Sequence, residues 1–182
     1  MEIINMNNLC KAKRIQAAQM LTNELPQGWP SLEDAIEEVN MLLDDKDEPD
    51  ALFLAAIERD EVVGWCGILP QYDGRVYELH PLVVRHDQQG KGVGKALMAA
   101  IEDAAREKGG LTMYLGADDE KPGGETSLAN TDLYDNLPGQ IQEFEPGTHQ
   151  TAFYIKIGYT VVGVVPDANG KGRPDIMMAK AL

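Results

Sequence analysis

The chain has few cysteines, no long apolar run and no secretory leader. Only Cys10 and Cys66 occur among its 182 residues, too few and too far apart for a disulfide scaffold or a zinc site. We therefore expect two reduced thiols in a cytoplasmic protein. No stretch approaches the roughly 18 apolar residues of a membrane-spanning helix, and the charged, amide-rich first 25 residues do not resemble a signal peptide. These absences argue against a secreted or membrane protein.

Basic residues are also scarce. The chain has 16 Lys and Arg against 30 Asp and Glu, a net charge of −14, which argues against nucleic acid or anionic membrane as a partner. Such a surface attracts a cationic substrate, although solubility alone is the commoner cause of acidity. The 43% hydrophobic and 25% charged residues are typical of a soluble globular protein, and the length fits a single domain over residues 1–182.

The hydrophobic pattern predicts a mixed α/β chain. Strands are expected at 2–5, 51–58, 61–69, 76–84, 111–116, 159–165 and 175–180, and helices at 9–25, 31–43, 92–108 and 148–156. This order implies antiparallel hairpins and one parallel crossover. The stretch 118–147 is irregular and rich in Asp, Gly, Asn and Pro, with a short helical turn expected near 131–136. Such a long connection is either functional or mobile.

The most informative motif is a glycine-rich turn between a strand and a helix. It runs from Gln89 to Lys95 with the pattern Gln-x-x-Gly-x-Gly. Backbone N–H groups and the helix dipole make such a turn a site for phosphate. The spacing fits neither the dinucleotide fingerprint nor the P-loop. The turn resembles the pyrophosphate-binding turn of the GCN5-related N-acetyltransferases. Taken alone, it is equally consistent with an ordinary glycine-rich loop. The predicted order of strands and helices is, however, also the order found in the N-acetyltransferase fold.

Further segments resemble one branch of that superfamily, the chromosomal aminoglycoside 6′-N-acetyltransferases of Gram-positive bacteria. These segments are 70–72, 77–84, 114–119, 131–134, 153–159 and 166–170. The resemblance implies the N-acetyltransferase fold: a central, mostly antiparallel twisted sheet with helices on both faces and a splayed cleft for acetyl-CoA. It also implies a homodimer that acetylates a polycationic amine. The glycine turn is closer to the superfamily than to this branch, and Trp29–Pro30 and much of 118–147 do not match it cleanly.

The resemblance assigns cofactor contacts to the strand and the turn. The implied contacts are Leu82, Val83, Val84, Gln89, Gly90, Lys91, Gly92, Val93, Gly94 and Lys95. Backbone groups of the strand would hold the pantetheine arm, with the N–H of Leu82 at the thioester oxygen. Acetyl-CoA is the expected cosubstrate, and we expect no metal, since the acidic residues lack calcium-ligand spacing.

The reaction needs a base and an acid, because an amine with a pKa of about 10.4 is protonated near pH 7. The resemblance assigns the base to Glu78 and the acid to Tyr154, and it places His80 in the acceptor site on the same strand face as Glu78. Asp118 and Asp119 are predicted acceptor contacts. The residues alone leave a structural interpretation open for each side chain. Glu78 could be a solvated strand residue, His80 a partly buried histidine with its hydrogen bonds satisfied, and Tyr154 a core packing residue.

Two other functions remain open from the sequence. The same chemistry could serve a polyamine, a peptide or a small metabolite amine, which an acidic surface suits equally well. A non-catalytic coenzyme A-binding module is the third, although it would need neither an acid nor a base.

Overall fold

The computed structural model describes residues 1–44 and 50–182, and their contacts divide the chain into two compact units. The first unit comprises Met1–Leu111 together with Leu182, and the second comprises Thr112–Ala181. The single domain expected over residues 1–182 stays a prediction. None of the described helices is long and apolar enough to cross a membrane.

The first unit contains four antiparallel strands and three α-helices. They are β1 (Glu2–Asn5), α1 (Lys11–Glu24), α2 (Leu32–Asp44), β2 (Leu52–Glu58), β3 (Glu61–Gln71), β4 (Val76–Val84) and α3 (Val93–Glu107). The strands pair in chain order, β1 with β2, β2 with β3 and β3 with β4. Ser31 caps α2 as expected, since its Oγ accepts the Asp34 N–H at 3.1 Å. Arg59 and Asp60 have left-handed φ values of 49° and 67°, which suit the predicted two-residue hairpin turn.

Helices cover both faces of this sheet. The Trp65 indole N–H donates to the carbonyl oxygen of Ala17 in α1 at 3.0 Å. On the opposite face, a Cβ placed on Gly64 would lie 2.9 Å from Cγ1 of Val93 in α3. Because consecutive strand residues point to opposite faces, α1 and α3 pack on different sides of β3. The buried cluster on the α1 side also includes Met6, Leu21, Val39 and Phe53.

The second unit contains three antiparallel strands and two short helices. They are β5 (Thr112–Asp118), α4 (Leu137–Gln142), α5 (Thr151–Lys156), β6 (Thr160–Val165) and β7 (Asp175–Ala181). Strand β7 lies between β5 and β6 and is antiparallel to both. The mixed α/β class with mostly antiparallel strands is confirmed.

Two local predictions in this unit were wrong. Residues 131–136 form non-helical turns, and the helix α4 begins only at Leu137. The Asp132 carboxylate accepts the Tyr134 N–H at 3.0 Å, so a local side-chain bond competes with the helix. Helix α5 starts at Thr151 and not at 148, after a turn in which the His149 N–H donates to the Pro146 carbonyl oxygen at 3.0 Å.

Candidate active site

Strand β4 presents the first group of candidate residues on one face. Burial alternates along it: Tyr77, Leu79 and Val83 are buried, whereas Glu78, His80, Leu82 and Val84 are half-buried. The expected common face of Glu78 and His80 is therefore present.

The ladder between β3 and β4 is irregular beside His80. Leu79 pairs with Ile68 and Leu82 pairs with Cys66, so His80 and Pro81 together oppose the single residue Gly67. Pro81 accounts for a local break here, since proline has no N–H group to donate to the ladder. Gly67 permits the close approach, because a Cβ there would lie 2.2 Å from the Phe53 ring and 2.7 Å from the His80 carbonyl oxygen.

His80 is surrounded by groups from α2 and from the connection before it. Its Nε2 lies 3.8 Å from Oε1 of Glu38, and the Trp29 ring centroid is 6.3 Å from its own. The His80 side chain is 40% exposed and that of Glu38 is 21% exposed, so a ligand can reach the pair. Sequence reasoning flagged the Trp29 region but missed Glu38. The sequence pattern that could have indicated Glu38 is its position on an amphipathic helix, next to the buried residues Ala35 and Val39.

The glycine turn has the backbone of an anion site. Gly90 and Gly92 have φ values of 72° and 89°, which other residues rarely adopt. The space beyond each is open, since a Cβ there would meet no atom within 4 Å. Gly92 is the N-cap of α3, and among the described residues no side chain caps this end. First-turn amides of a helix have no intrahelical acceptor, so those at Val93 to Lys95 can bind phosphate oxygens.

The basic side chains near the turn differ in their availability. Arg85 donates to Asp87 at 2.6 Å and to Glu61 at 2.8 Å. These bonds raise the pKa of Arg85 and lower the pKa of Asp87, so the Arg85 charge is already paired. Lys91 and Lys95 are exposed, and the Lys91 ammonium has only a long contact of 3.5 Å, to Gln88 Oε1. These two lysines can therefore add positive charge for a phosphate.

The second unit holds Tyr154 within a cluster of aromatic rings. Its side chain is buried in α5, and its ring meets those of Phe153 and Tyr159 edge-on at 5.2 and 5.7 Å between centroids. The Tyr159 N–H also donates to the Tyr154 carbonyl oxygen at 3.0 Å. The phenol is thus held in one orientation, which suits a proton donor as well as a packing residue.

The two adjacent aspartates of the second unit have different environments. Asp118 is exposed, and its Oδ1 accepts a hydrogen bond from the Asn169 amide at 2.6 Å. Asp119 is fully buried, and its carboxylate accepts the N–H groups of Glu125 and Thr126 at 2.8 and 2.9 Å and the Thr126 hydroxyl at 2.8 Å. Asp119 therefore organises the 119–126 loop through these bonds, and its role as a direct acceptor contact stays a prediction. Asp118 keeps an accessible carboxylate.

His149, which the sequence left without a role, also organises this loop region. Its ring is buried, with Nε2 at 3.0 Å from the Asp118 carbonyl oxygen and Nδ1 at 3.2 Å from Thr151 Oγ1. The ring joins the end of β5 to the start of α5. No local pattern distinguishes such a histidine from a solvated one.

The described residues were also compared with the requirements of a metal site. Within residues 1–44 and 50–182, no group of three or more His, Cys, Asp and Glu side chains is arranged to hold a metal ion.

Comparison with known proteins gives consistent matches. Residues 15–123 match the family model of the acetyltransferase (GNAT) family. The solved structure of an aminoglycoside 6′-N-acetyltransferase complexed with coenzyme A is 34% identical and covers 100% of this chain and 97% of its own, with a TM-score of 0.91. The aminoglycoside 6′-N-acetyltransferase from Enterococcus faecium is also 34% identical with the same coverage, with a TM-score of 0.89.

A curated relative gives a shorter match. The aminoglycoside N(6′)-acetyltransferase type 1 of Stenotrophomonas maltophilia is 33% identical over 88 residues, which span 44% of this chain and 56% of that enzyme. The family model covers more than half of the chain, and two solved structures match it over its full length above 30% identity. The chain therefore belongs to the GNAT family of acetyltransferases and is an acetyl-CoA-dependent N-acetyltransferase.

Proposed function

We propose that this protein transfers the acetyl group of acetyl-CoA to the 6′-amine of an aminoglycoside. The observation that carries the proposal is β4, which presents Glu78 and His80 on one half-buried face and is joined to the glycine turn by Arg85 and the 3-10 turn His86–Gln88. The proposal is supported by the full-length similarity to aminoglycoside 6′-N-acetyltransferases. The net charge of −14 also favours a polycationic acceptor.

The strand and the turn would hold the cosubstrate. Acetyl-CoA supplies an acetyl group activated as a thioester. The amides from Gln89 to Lys95 bind its pyrophosphate, and the lysines of the turn add charge. Backbone groups of Leu82, Val83 and Val84 bind the pantetheine arm. The Leu82 N–H polarises the thioester carbonyl in the manner of an oxyanion hole.

Glu78 acts as the general base in this proposal. An aliphatic amine has a pKa of about 10.4 and is protonated near neutral pH, so it has no lone pair for attack. A carboxylate beside it holds the ammonium and accepts its proton, directly or through water. His80, with Glu38 at 3.8 Å, lies on the same face and orients the acceptor. The exposed carboxylate of Asp118 contacts a further ammonium group.

Tyr154 acts as the general acid. The nitrogen–carbon bond forms while the carbon–sulfur bond breaks, and the departing thiolate takes a proton from the phenol. The packing of Tyr154 against two aromatic rings supports this role because a donor must be held in a fixed orientation. Tyr154→Phe keeps the aromatic ring and removes the hydroxyl group that carries the proton, so it is the variant that tests the assignment.

The release of coenzyme A tests the proposed function. Acetyl-CoA is mixed with kanamycin or with its analogue that carries a hydroxyl in place of the 6′-amine. We expect turnover with kanamycin and none with the analogue, which would establish both the reaction and its position. Equal turnover with both would contradict the 6′-assignment.

A polyamine is the second candidate acceptor. The acidic charge suits spermidine as well as an aminoglycoside, so the same assay with spermidine separates the two. A larger kcat/KM for spermidine than for kanamycin would favour this alternative. Tight acetyl-CoA binding without turnover of any amine would point instead to a binding module.

A cytoplasmic location and a homodimer remain predictions from the sequence. Light scattering of the purified protein measures the second directly: a mass of about twice the 20.0 kDa of one chain is expected.

A further inference from the structure

We propose that Glu24 is a positioning residue for the phosphate-binding turn. It is the last residue of α1, 65 positions before Gln89, and lies outside every motif discussed above. The inference rests on the use of acetyl-CoA and does not depend on which amine is acetylated.

The Glu24 carboxylate bridges two points of the segment that leads into the turn. One oxygen, Oε1, accepts the backbone N–H of His86 at 2.9 Å, and Oε2 accepts the side-chain amide of Gln89 at 3.3 Å. The same Gln89 amide donates to the Val84 carbonyl oxygen at 3.0 Å. The first residue of the motif therefore points its side chain back to α1 and β4. This leaves its backbone, and not its side chain, as the part that can face a phosphate.

Helix α1 is a rigid anchor for such a bridge. Its Ala17 carbonyl accepts the Trp65 indole N–H, and its Leu21 is fully buried. The segment from His86 to Gln88 is only one 3-10 turn, held by the Gln88 and Gln89 N–H groups on the Arg85 and His86 carbonyls. The His86 N–H lies at the start of this turn and takes no part in these two bonds, and the Glu24 carboxylate is its acceptor. The carboxylate thus fixes the entry to the turn relative to the packed core.

Electrostatics alone would disfavour a carboxylate at this place. A negative charge near a pyrophosphate site repels the ligand, and the C-terminal end of a helix is itself partly negative. A carboxylate has two acceptor oxygens, whereas a glutamine offers one acceptor and one donor. Only the carboxylate satisfies the His86 N–H and the Gln89 amide together. The bridging geometry therefore gives a reason for glutamate at position 24 in spite of its charge.

The test compares two ligands that differ in their phosphates. Calorimetry measures the Kd of coenzyme A and, by displacement, that of pantetheine, which lacks the pyrophosphate and the nucleotide. Glu24→Ala should weaken coenzyme A binding about 5- to 30-fold, the effect of two lost hydrogen bonds, and leave the pantetheine Kd within about 2-fold. Glu24→Gln should fall between wild type and Glu24→Ala, because one acceptor remains.

Glu107→Ala is the matched control, since Glu107 is an exposed glutamate that is likewise the last residue of its helix. It should leave both Kd values unchanged. Unchanged or tighter coenzyme A binding in Glu24→Ala would overturn the proposal, as would equal losses for both ligands, which would indicate a general loss of structure. Because no acceptor is present, these titrations keep their meaning if kanamycin is not acetylated.

Discussion

At the scale of single residues, the candidate chemistry depends on groups whose surroundings the fold decides. Glu78 and His80 occupy the half-buried positions of a strand in which buried and half-buried residues alternate. Asp118 and Asp119 are neighbours in sequence, yet one is exposed and the other has no accessible surface. Residue type alone therefore did not distinguish an accessible carboxylate from a buried one that accepts hydrogen bonds from its own loop.

Replacing Glu78 should affect turnover and not cofactor binding. Glu78→Gln removes the proton acceptor and keeps the shape, so kcat/KM should fall about 10²- to 10⁴-fold, the usual contribution of a general base. The coenzyme A Kd should stay within about 2-fold. Glu58→Gln, at a half-buried glutamate of β2, is the control. Turnover at the wild-type level would remove Glu78 from the mechanism.

Glu38 should influence the acceptor through His80. Glu38→Gln removes the negative charge 3.8 Å from His80 Nε2, and the weaker attraction for a cation should raise the KM for kanamycin about 3- to 10-fold. The adjacent Glu37 is exposed on the same helix, so Glu37→Gln makes the same change of charge without that contact. Equal KM changes in Glu38→Gln and Glu37→Gln would mean that the overall charge, and not the contact with His80, affects the acceptor.

At the scale of elements, irregular features position the site. The unequal pairing of β3 and β4 beside His80 and the left-handed glycines of the turn both interrupt regular secondary structure. In the second unit, the buried carboxylate of Asp119 and the buried ring of His149 hold a long connection that has little regular structure of its own. These interruptions bring backbone groups to places that a regular strand or helix would not expose.

Gly67 should be intolerant of any side chain. A Cβ there would meet the Phe53 ring and the His80 backbone at 2.2 and 2.7 Å, so Gly67→Ala should lower the free energy of unfolding by about 1–3 kcal/mol. Urea unfolding measures this difference. The control is Gly163→Ala in β6, where the nearest atom would be Met177 Cβ at 3.8 Å. Similar losses in both variants would mean that close packing at Gly67 is not the cause.

Asp118 and Asp119 should respond to substitution in opposite ways. Asp119→Asn leaves a buried loop amide without an acceptor, which should cost about 1–3 kcal/mol of stability. Asp118→Asn should leave the midpoint of thermal unfolding nearly unchanged and raise the KM for the acceptor. Calorimetric melts and steady-state kinetics on both variants distinguish the roles. A higher acceptor KM for Asp119→Asn, at unchanged stability, would support Asp119 as a direct acceptor contact.

At the scale of the whole molecule, charge sets how the two substrates arrive. The net charge of −14 attracts cations and repels the phosphates of acetyl-CoA, so the proposed binding of the cofactor would depend on local backbone donors and on the lysines of the turn. The similarity to two solved aminoglycoside 6′-N-acetyltransferases likewise extends over the full length of the chain.

Salt should therefore act on the two substrates with opposite signs. Raising the ionic strength from about 0.01 to 0.3 M shortens the screening length from roughly 30 Å to below 8 Å. The KM for kanamycin should rise, because attraction to the acidic surface weakens. The KM for acetyl-CoA should fall or change little, because long-range repulsion weakens as well. Steady-state kinetics across this range check both, and a falling KM for kanamycin would contradict electrostatic recruitment.

The sequence by itself determined the class of the fold and the place of the glycine turn. The period-two pattern of β4, the Arg59–Asp60 hairpin and the Ser31 cap are local features, set by the conformations that a short stretch of residues prefers. The glycine turn could also be predicted from the sequence, because it needs left-handed backbone conformations that glycine alone adopts easily.

The tertiary structure alone decided which distant side chains meet. Glu24 with His86 and Gln89, Glu38 with His80, and the burial of Asp119 and His149 join residues from separate elements. Their hydrogen bonds leave no periodic signal in the sequence, because a contact between elements depends on how they pack and not on local preference. For the same reason, the non-helical turns at 131–136 could not be foreseen from composition.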